Sequence, residues 1–110
     1  MAIKRIWHGW TTLDNANHYE RLLDSEVFPG IEAKRIPGYL GIELLRRDLD
    51  QEVEFITIMT FESLDDVKAF QGEDYSRAYI PARAKDLLKR WDDVSLHYEV
   101  IQQRFSQRTQ

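Results

Sequence analysis

The stretch Ile3-Lys4-Arg5-Ile6-Trp7-His8-Gly9-Trp10-Thr11 decides the fold. With the two-residue period of a strand, Ile3, Trp7 and Gly9 fall on one face and Ile6, His8 and Trp10 on the other. Apolar side chains on both faces predict a strand covered on both sides. Working outward, Val53-Glu54-Phe55-Ile56-Thr57-Ile58-Met59-Thr60-Phe61 is the clearest strand of the chain. Tyr39 to Asp48 precedes it across Leu49-Asp50-Gln51-Glu52, a polar connection of hairpin length. A last strand is expected over Val94 to Ile101, with Val94, Leu96, Tyr98 and Val100 alternating against Ser95, His97, Glu99 and Ile101.

Helical signals fill the gaps. Thr11-Thr12-Leu13-Asp14 offers oxygen acceptors to the free amides of a helix start, and Leu13, Ala16, Tyr19, Leu22, Leu23 and Val27 then recur at helical spacing. Pro29-Gly30 is expected to interrupt this helix, with Ile31 to Ile36 forming a further turn before Pro37-Gly38. Ser63-Leu64-Asp65-Asp66 is a second capping sequence, followed by the apolar stripe Leu64, Val67 and Phe70. Gly72 is expected to stop that helix at positive φ, and Asp74 to cap the next turn. Pro81 suits the first turn of a last helix, with Leu87, Leu88 and Trp91 as its inner face. The order β-α-β-β-α-β, with its second helical region split, predicts an α+β chain of the ferredoxin-like split βαβ type, its antiparallel sheet in strand order 4-1-3-2. Residues 1–101 form the domain, and 102–110 are a polar tail, frayed or paired with another chain.

Too many apolar residues compete for the single helix-covered side of such a sheet. Ile3, Trp7, Phe55, Met59, Phe61, Leu40, Ile42 and Leu44 stand against Ile6, Trp10, Ile56 and Ile58. A homodimer that covers the second face resolves the conflict. The 110 residues fit one domain, and 43 % hydrophobic residues exclude intrinsic disorder. A net charge of −4 argues against nucleic acid bound through a basic surface. The absence of cysteine excludes disulfides, thiolate metal sites and a cysteine nucleophile. No run of about 18 apolar residues exists, and Met1 to His8 lacks the apolar stretch of a signal peptide, so a cytoplasmic protein without a membrane partner is expected.

Several motifs carry a family resemblance. Trp7-His8-Gly9, Ile36-Pro37-Gly38-Tyr39-Leu40-Gly41, Leu44-Leu45-Arg46-Arg47, Glu52-Val53-Glu54-Phe55 and Phe61-Glu62-Ser63-Leu64 resemble the antibiotic biosynthesis monooxygenase (ABM) family of dimeric α/β barrels. So do Ala69-Phe70-Gln71-Gly72-Glu73-Asp74-Tyr75 and His97-Tyr98-Glu99-Val100, and the likeness covers roughly residues 3–101. It implies two sheets facing each other in a dimeric barrel, with a small-molecule pocket between sheet and helices in each subunit. It also implies, for the oxygenases of the family, a cofactor-independent reaction. An aromatic or polyketide-like substrate loses a proton, and its carbanion reduces O₂ without flavin or metal.

Such a reaction needs a dry aromatic pocket, a proton acceptor and donors for the developing enolate oxygen. Trp10, Phe61, Phe70, Tyr75, Tyr79 and Trp91 are the candidate substrate-binding residues, and Tyr79 is expected over the pocket mouth, beside Ile80-Pro81. His8, on the central strand beside Ile6 and Trp10, is the candidate catalytic base. A buried polar residue satisfied by a backbone carbonyl or a tyrosine is the alternative for the same position. His97 is a further substrate-binding candidate and is expected to be a cross-strand neighbour of His8. With Glu99 the pair would form a transition-metal ligand set, although His-x-Glu on one strand is a weak signal and no metal is assigned. His18 belongs on a solvated helix face. Haem degraders of the family resemble one another in a histidine on the second helical region. No histidine lies between Ser63 and Trp91, so haem is disfavoured. No cofactor motif is present. A non-catalytic ligand-binding or stress-related dimer is the competing reading.

Overall fold

The structure, a computed structural model, describes residues 2–107. Five strands, β1 (Ile3–Thr11), β2 (Tyr39–Asp48), β3 (Val53–Phe61), β4 (Leu88–Trp91) and β5 (Leu96–Glu99), form one antiparallel sheet. The spatial order is β2-β3-β1-β4, and β5 also pairs with β1. This is the expected 4-1-3-2 order with its fourth position divided in two. Among the described residues four α-helices accompany the sheet: α1 (Ala16–Leu22), α2 (Phe28–Ala33), α3 (Leu64–Gln71) and α4 (Ala82–Leu87). The α+β, ferredoxin-like fold read from the sequence is therefore present. No helix among the described residues is long and apolar enough to cross a membrane.

Local chemistry explains the boundaries. Ser63 sits in extended backbone at φ −154° and accepts a hydrogen bond from the Asp66 N–H, the expected cap of α3. Gly72 ends that helix at φ 99°, a region that favours glycine. The β2–β3 hairpin closes through the Leu49 N–H donating to the Glu52 carbonyl at 2.8 Å. Thr12, rather than Thr11, accepts from the backbone ahead of α1, at Asn15 N.

Three expectations need correction. Pro29-Gly30 does not interrupt the first helical region: a π-helical turn over Leu23–Val27 joins α1 to α2, and the Phe28 N–H reaches back to the Leu23 carbonyl. Pro29 then lies at the start of α2, where a missing N–H is tolerated. Leu88 and Trp91 do not extend the last helix. The backbone turns extended at Leu88 (φ −84°, ψ 136°) and pairs with Gly9 to Thr11 as β4. The last strand is consequently not continuous over Val94–Ile101. The chain leaves the β1 edge between β4 and β5, where Ser95 N–H donates to the Ser76 carbonyl and Val94 bridges to Arg77. Trp7 occupies the gap. Its indole N–H donates to the Asp92 carbonyl at 2.7 Å, and its ring lies where a side chain on Gly9 would have to go.

The helices cover the face that carries Ile3, Arg5, Trp7, Gly9 and Thr11 of β1, all buried. Its apolar residues divide into two clusters, one around Trp7, Tyr19, Leu23, Val53 and Phe55, the other around Ile3, Ile31, Met59, Phe61 and Phe70. Val27 and Phe28 touch both. On the opposite face Ile6, His8 and Trp10 lie beside Ile58, Ile56 and Glu54 of β3 and Leu96 of β5. Leu40, grouped with Ile42 and Leu44 from the sequence, is instead the bulged residue of β2 and is exposed. Residues 102–107 of the tail adopt no regular structure, and 108–110 lie outside the described residues.

Candidate functional site

A cavity of about 50 Å³ opens at the seam between the two clusters. The sheet supplies its floor through Arg5, Trp7, Ile42, Thr57 and Met59. The first helical region supplies one wall through Tyr19, Leu23, Val27, Phe28 and Ile31. The π-helical turn is part of this wall, since its first and last residues both face the cavity. Tyr79, Ile80, Pro81 and Ala84 close the other side, and Ser95 completes the lining. A space of this size has room for only a few water molecules, so an aromatic ring enters only if the Tyr79–Pro81 segment yields.

The lining is largely apolar, and its polar groups are chiefly donors. Burial pushes the Tyr19 hydroxyl well above the usual tyrosine range, so it stays protonated. Arg5 is 3 % exposed. Its Nη1 donates to the Tyr75 carbonyl at 2.5 Å and to His97 Nε2 at 2.9 Å, and its Nη2 donates to the Arg77 carbonyl at 2.9 Å. Burial lowers the Arg5 guanidinium to about 10, still charged at neutral pH. Burial and the Arg5 charge push His97 down to about 4, so His97 is a neutral acceptor. No Asp, Glu or His is among the cavity-lining residues.

The sequence candidates separate into three groups. Tyr79 lines the cavity at its mouth, and its ring packs edge-on against Phe70 at 5.2 Å. Phe70 continues to the fully buried Phe61 at 5.8 Å, so these two back the mouth from within the core. Tyr75 and His97 stand beside Arg5, with their rings 5.1 Å apart. Trp91, opposite Gly9 on β4, lies at a separate shallow depression with Ala78 and Val94. His8 and Trp10 are on the open face, away from the cavity. The His8 Nδ1 lies 3.1 Å from Glu54 Oε2, and its ring stacks on Trp10 at 6.1 Å. The Arg90 guanidinium lies over the Trp10 ring at 3.9 Å.

His8 and His97 are therefore not neighbours, which corrects the expected pairing. His97 lies opposite Arg5 and His8 opposite Ile56, on different sides of the sheet. The His8–His97–Glu99 ligand set does not assemble, and among the described residues no three His, Cys, Asp or Glu side chains gather to hold a metal. His18 is exposed on α1, its ring against Arg21. Arg5 itself was missed as a site residue. Its signal was present: a charge two residues from Ile3 and two from Trp7 shares their face of the strand.

Solved structures share this architecture across almost the whole chain. A Bacillus cereus protein provisionally named an antibiotic biosynthesis monooxygenase matches at a TM-score of 0.65 and 11 % identity, over 99 % of this chain and 100 % of its own. SnoaB from Streptomyces nogalater, described as a cofactor-independent oxygenase, matches at a TM-score of 0.56 and 18 % identity, over 93 % and 95 %. The chain has the ABM fold. Rv0793 from Mycobacterium tuberculosis shares it at a TM-score of 0.61 and 15 % identity, over 94 % and 98 %. No family model and no curated relative matches the sequence. At these identities the ABM likeness speaks for the fold, and the chemistry must be argued from the cavity.

Proposed function

We propose that this chain is a cytoplasmic homodimer that takes a small aromatic or polyketide-like molecule into the helix-side cavity and oxygenates it without a cofactor. The observation that carries the reading is the cavity itself, an apolar slot lined by Trp7, Tyr19, Phe28 and Tyr79 with donors at its floor. The ABM fold and the description of SnoaB as a cofactor-independent oxygenase support the reaction class. In that chemistry an activated methylene loses a proton, and the carbanion passes electrons to O₂. One oxygen atom becomes the new carbonyl and the other leaves as water. The donors at the floor would stabilise the enolate oxygen. Homodimerisation is supported by the open face, where Leu45, Leu96 and Tyr98 remain 44–53 % exposed beside Ile6, Ile58 and Trp10.

A second reading has a specific observation behind it. The cavity wall holds no histidine or carboxylate to take a proton, and His8 stands on the other face. A binder needs no such base, whereas an oxygenase must receive a substrate acidic enough to ionise by itself. Incubation with anthrone and quinol compounds separates the two. The expected result is O₂ uptake above buffer together with quenching of tryptophan fluorescence. Quenching without uptake leaves the non-catalytic dimer, and neither response overturns both.

A further inference from the structure

We propose that Arg5 is an anion receptor at the cavity floor, and that the ligand is an acidic aromatic molecule bound through its ionised oxygen. The inference rests on the binding reading of the same cavity and names the ligand class.

Arg5 has three hydrogen-bond acceptors, and all are neutral: the Tyr75 and Arg77 carbonyls and His97. No carboxylate pairs with it among the described residues. A buried cation without a counter-ion is costly to keep, and replacing it by an apolar side chain would ordinarily be tolerated or favourable. The carbonyls and the imidazole fix the guanidinium in place but do not neutralise it. Three of its five N–H groups are used, leaving the Nε–H and one Nη2–H. A guanidinium N–H left without a protein acceptor is a charge-assisted donor for a carboxylate, a phenolate or an enolate oxygen. The apolar surroundings strengthen that pairing by excluding water, and Ser95 and Thr57 supply further hydroxyls on the same lining. Lys34, whose Nζ lies 5.1 Å from the Tyr79 ring and 5.3 Å from the Phe70 ring, adds a second positive charge outside the mouth.

A purely structural Arg5, tying the Tyr75–Arg77 segment to β1, makes a different prediction, because it gives no preference between charged and neutral ligands. Titration calorimetry of the full chain with 2-naphthoate and with 2-naphthamide at neutral pH decides between them. The acid is expected to bind at least about tenfold more tightly than the amide. Arg5→Met is expected to weaken the acid far more than the amide, so that the preference is lost. The wild-type preference needs no variant, so a poorly folded Arg5→Met leaves the test intact, and Lys34→Met is the control for charge at the mouth. Equal binding of acid and amide by the wild type overturns the receptor and spares the cavity reading, whereas no binding of either overturns both. A preference that survives Arg5→Met, or that disappears with Lys34→Met, also overturns the assignment.

Discussion

The two faces of the sheet are both rich in apolar residues, yet they are finished differently. On the helix-covered face Phe55 and Phe61 are fully buried and the residues meet in two packed clusters. On the open face the same strands present Ile6, Trp10 and Ile58, and β5 adds Leu96 and Tyr98, each more than half exposed. Apolar content alone therefore does not say which face is the core. The helices choose it, and the other face stays open in the single chain. The polar groups also divide: the open face pairs His8 with Glu54, while on the covered face Arg5 pairs with no carboxylate among the described residues.

The largest effect is expected from emptying the covered face. Phe55 is fully buried with its ring 4.8 Å from Tyr19, so Phe55→Ala leaves a cavity the neighbours cannot fill. Urea unfolding at fixed protein concentration should register a loss of about 3–5 kcal/mol. A loss below about 1 kcal/mol would mean that the face is not the main core.

The next largest belongs to the open face. Leu96 lies opposite Ile6 and is 52 % exposed in one copy of the chain. Leu96→Glu places a charge where two sheets would meet, and dimer affinity should fall about a hundredfold, with monomer where the wild type is dimer by light scattering. The fold of each copy should survive, because the substitution does not touch the helix-side clusters. Wild-type protein that is monomeric in dilute solution would remove the reason for the open face altogether.

A smaller effect sits where the covered face meets solvent. His97 is held at about 4 against its ordinary 6.5. The unfolded chain therefore takes up this proton between those values while the folded chain does not. Stability falls as pH drops from about 6.5 to about 4, and flattens below, once the folded state also binds the proton. His97 is partly exposed, so solvent screening reduces the loss to about 1–2 kcal/mol. His97→Gln keeps an acceptor for Arg5 and should abolish this segment of the pH profile. If both proteins lose the same amount between pH 6.5 and 4, another group is responsible.

Much of this was legible in the residues. The β2–β3 hairpin and the positive φ at Gly72 follow from period-two alternation and turn chemistry, which are local, and the strand order follows from the split βαβ motif that the element order matches. The faces were not legible, because β1 is apolar in both phases and only long-range packing decides between them. That ambiguity put His8 in the imagined pocket with Phe61 and Phe70, although one residue of alternation separates the two sides of a strand. The segment Leu87 to Trp91 failed for a related reason. Leu87, Leu88 and Trp91 fit a helical stripe, yet the free edge of β1 captures Leu88 to Trp91 as a strand. Arg5 was overlooked because a charge in a strand usually marks the solvent side, and here it marks the cavity floor.

The smallest prediction tests the edge of the covered face. The Ser63 Oγ accepts from the Asp66 N–H at 3.3 Å and donates to Asp66 Oδ2 at 2.8 Å, so one side chain both caps α3 and positions a carboxylate. That carboxylate fills the space a side chain at Gly38 would need, which docks the start of α3 against the turn before β2. Ser63→Ala removes the cap and should cost about 1 kcal/mol in urea unfolding. Dimerisation and naphthoate binding should not change, because neither the open face nor the cavity contains Ser63. A stability loss accompanied by weaker naphthoate binding would tie α3 to the cavity through Phe70 and Tyr79, and would show that the mouth is held from the helix end as well as from the floor.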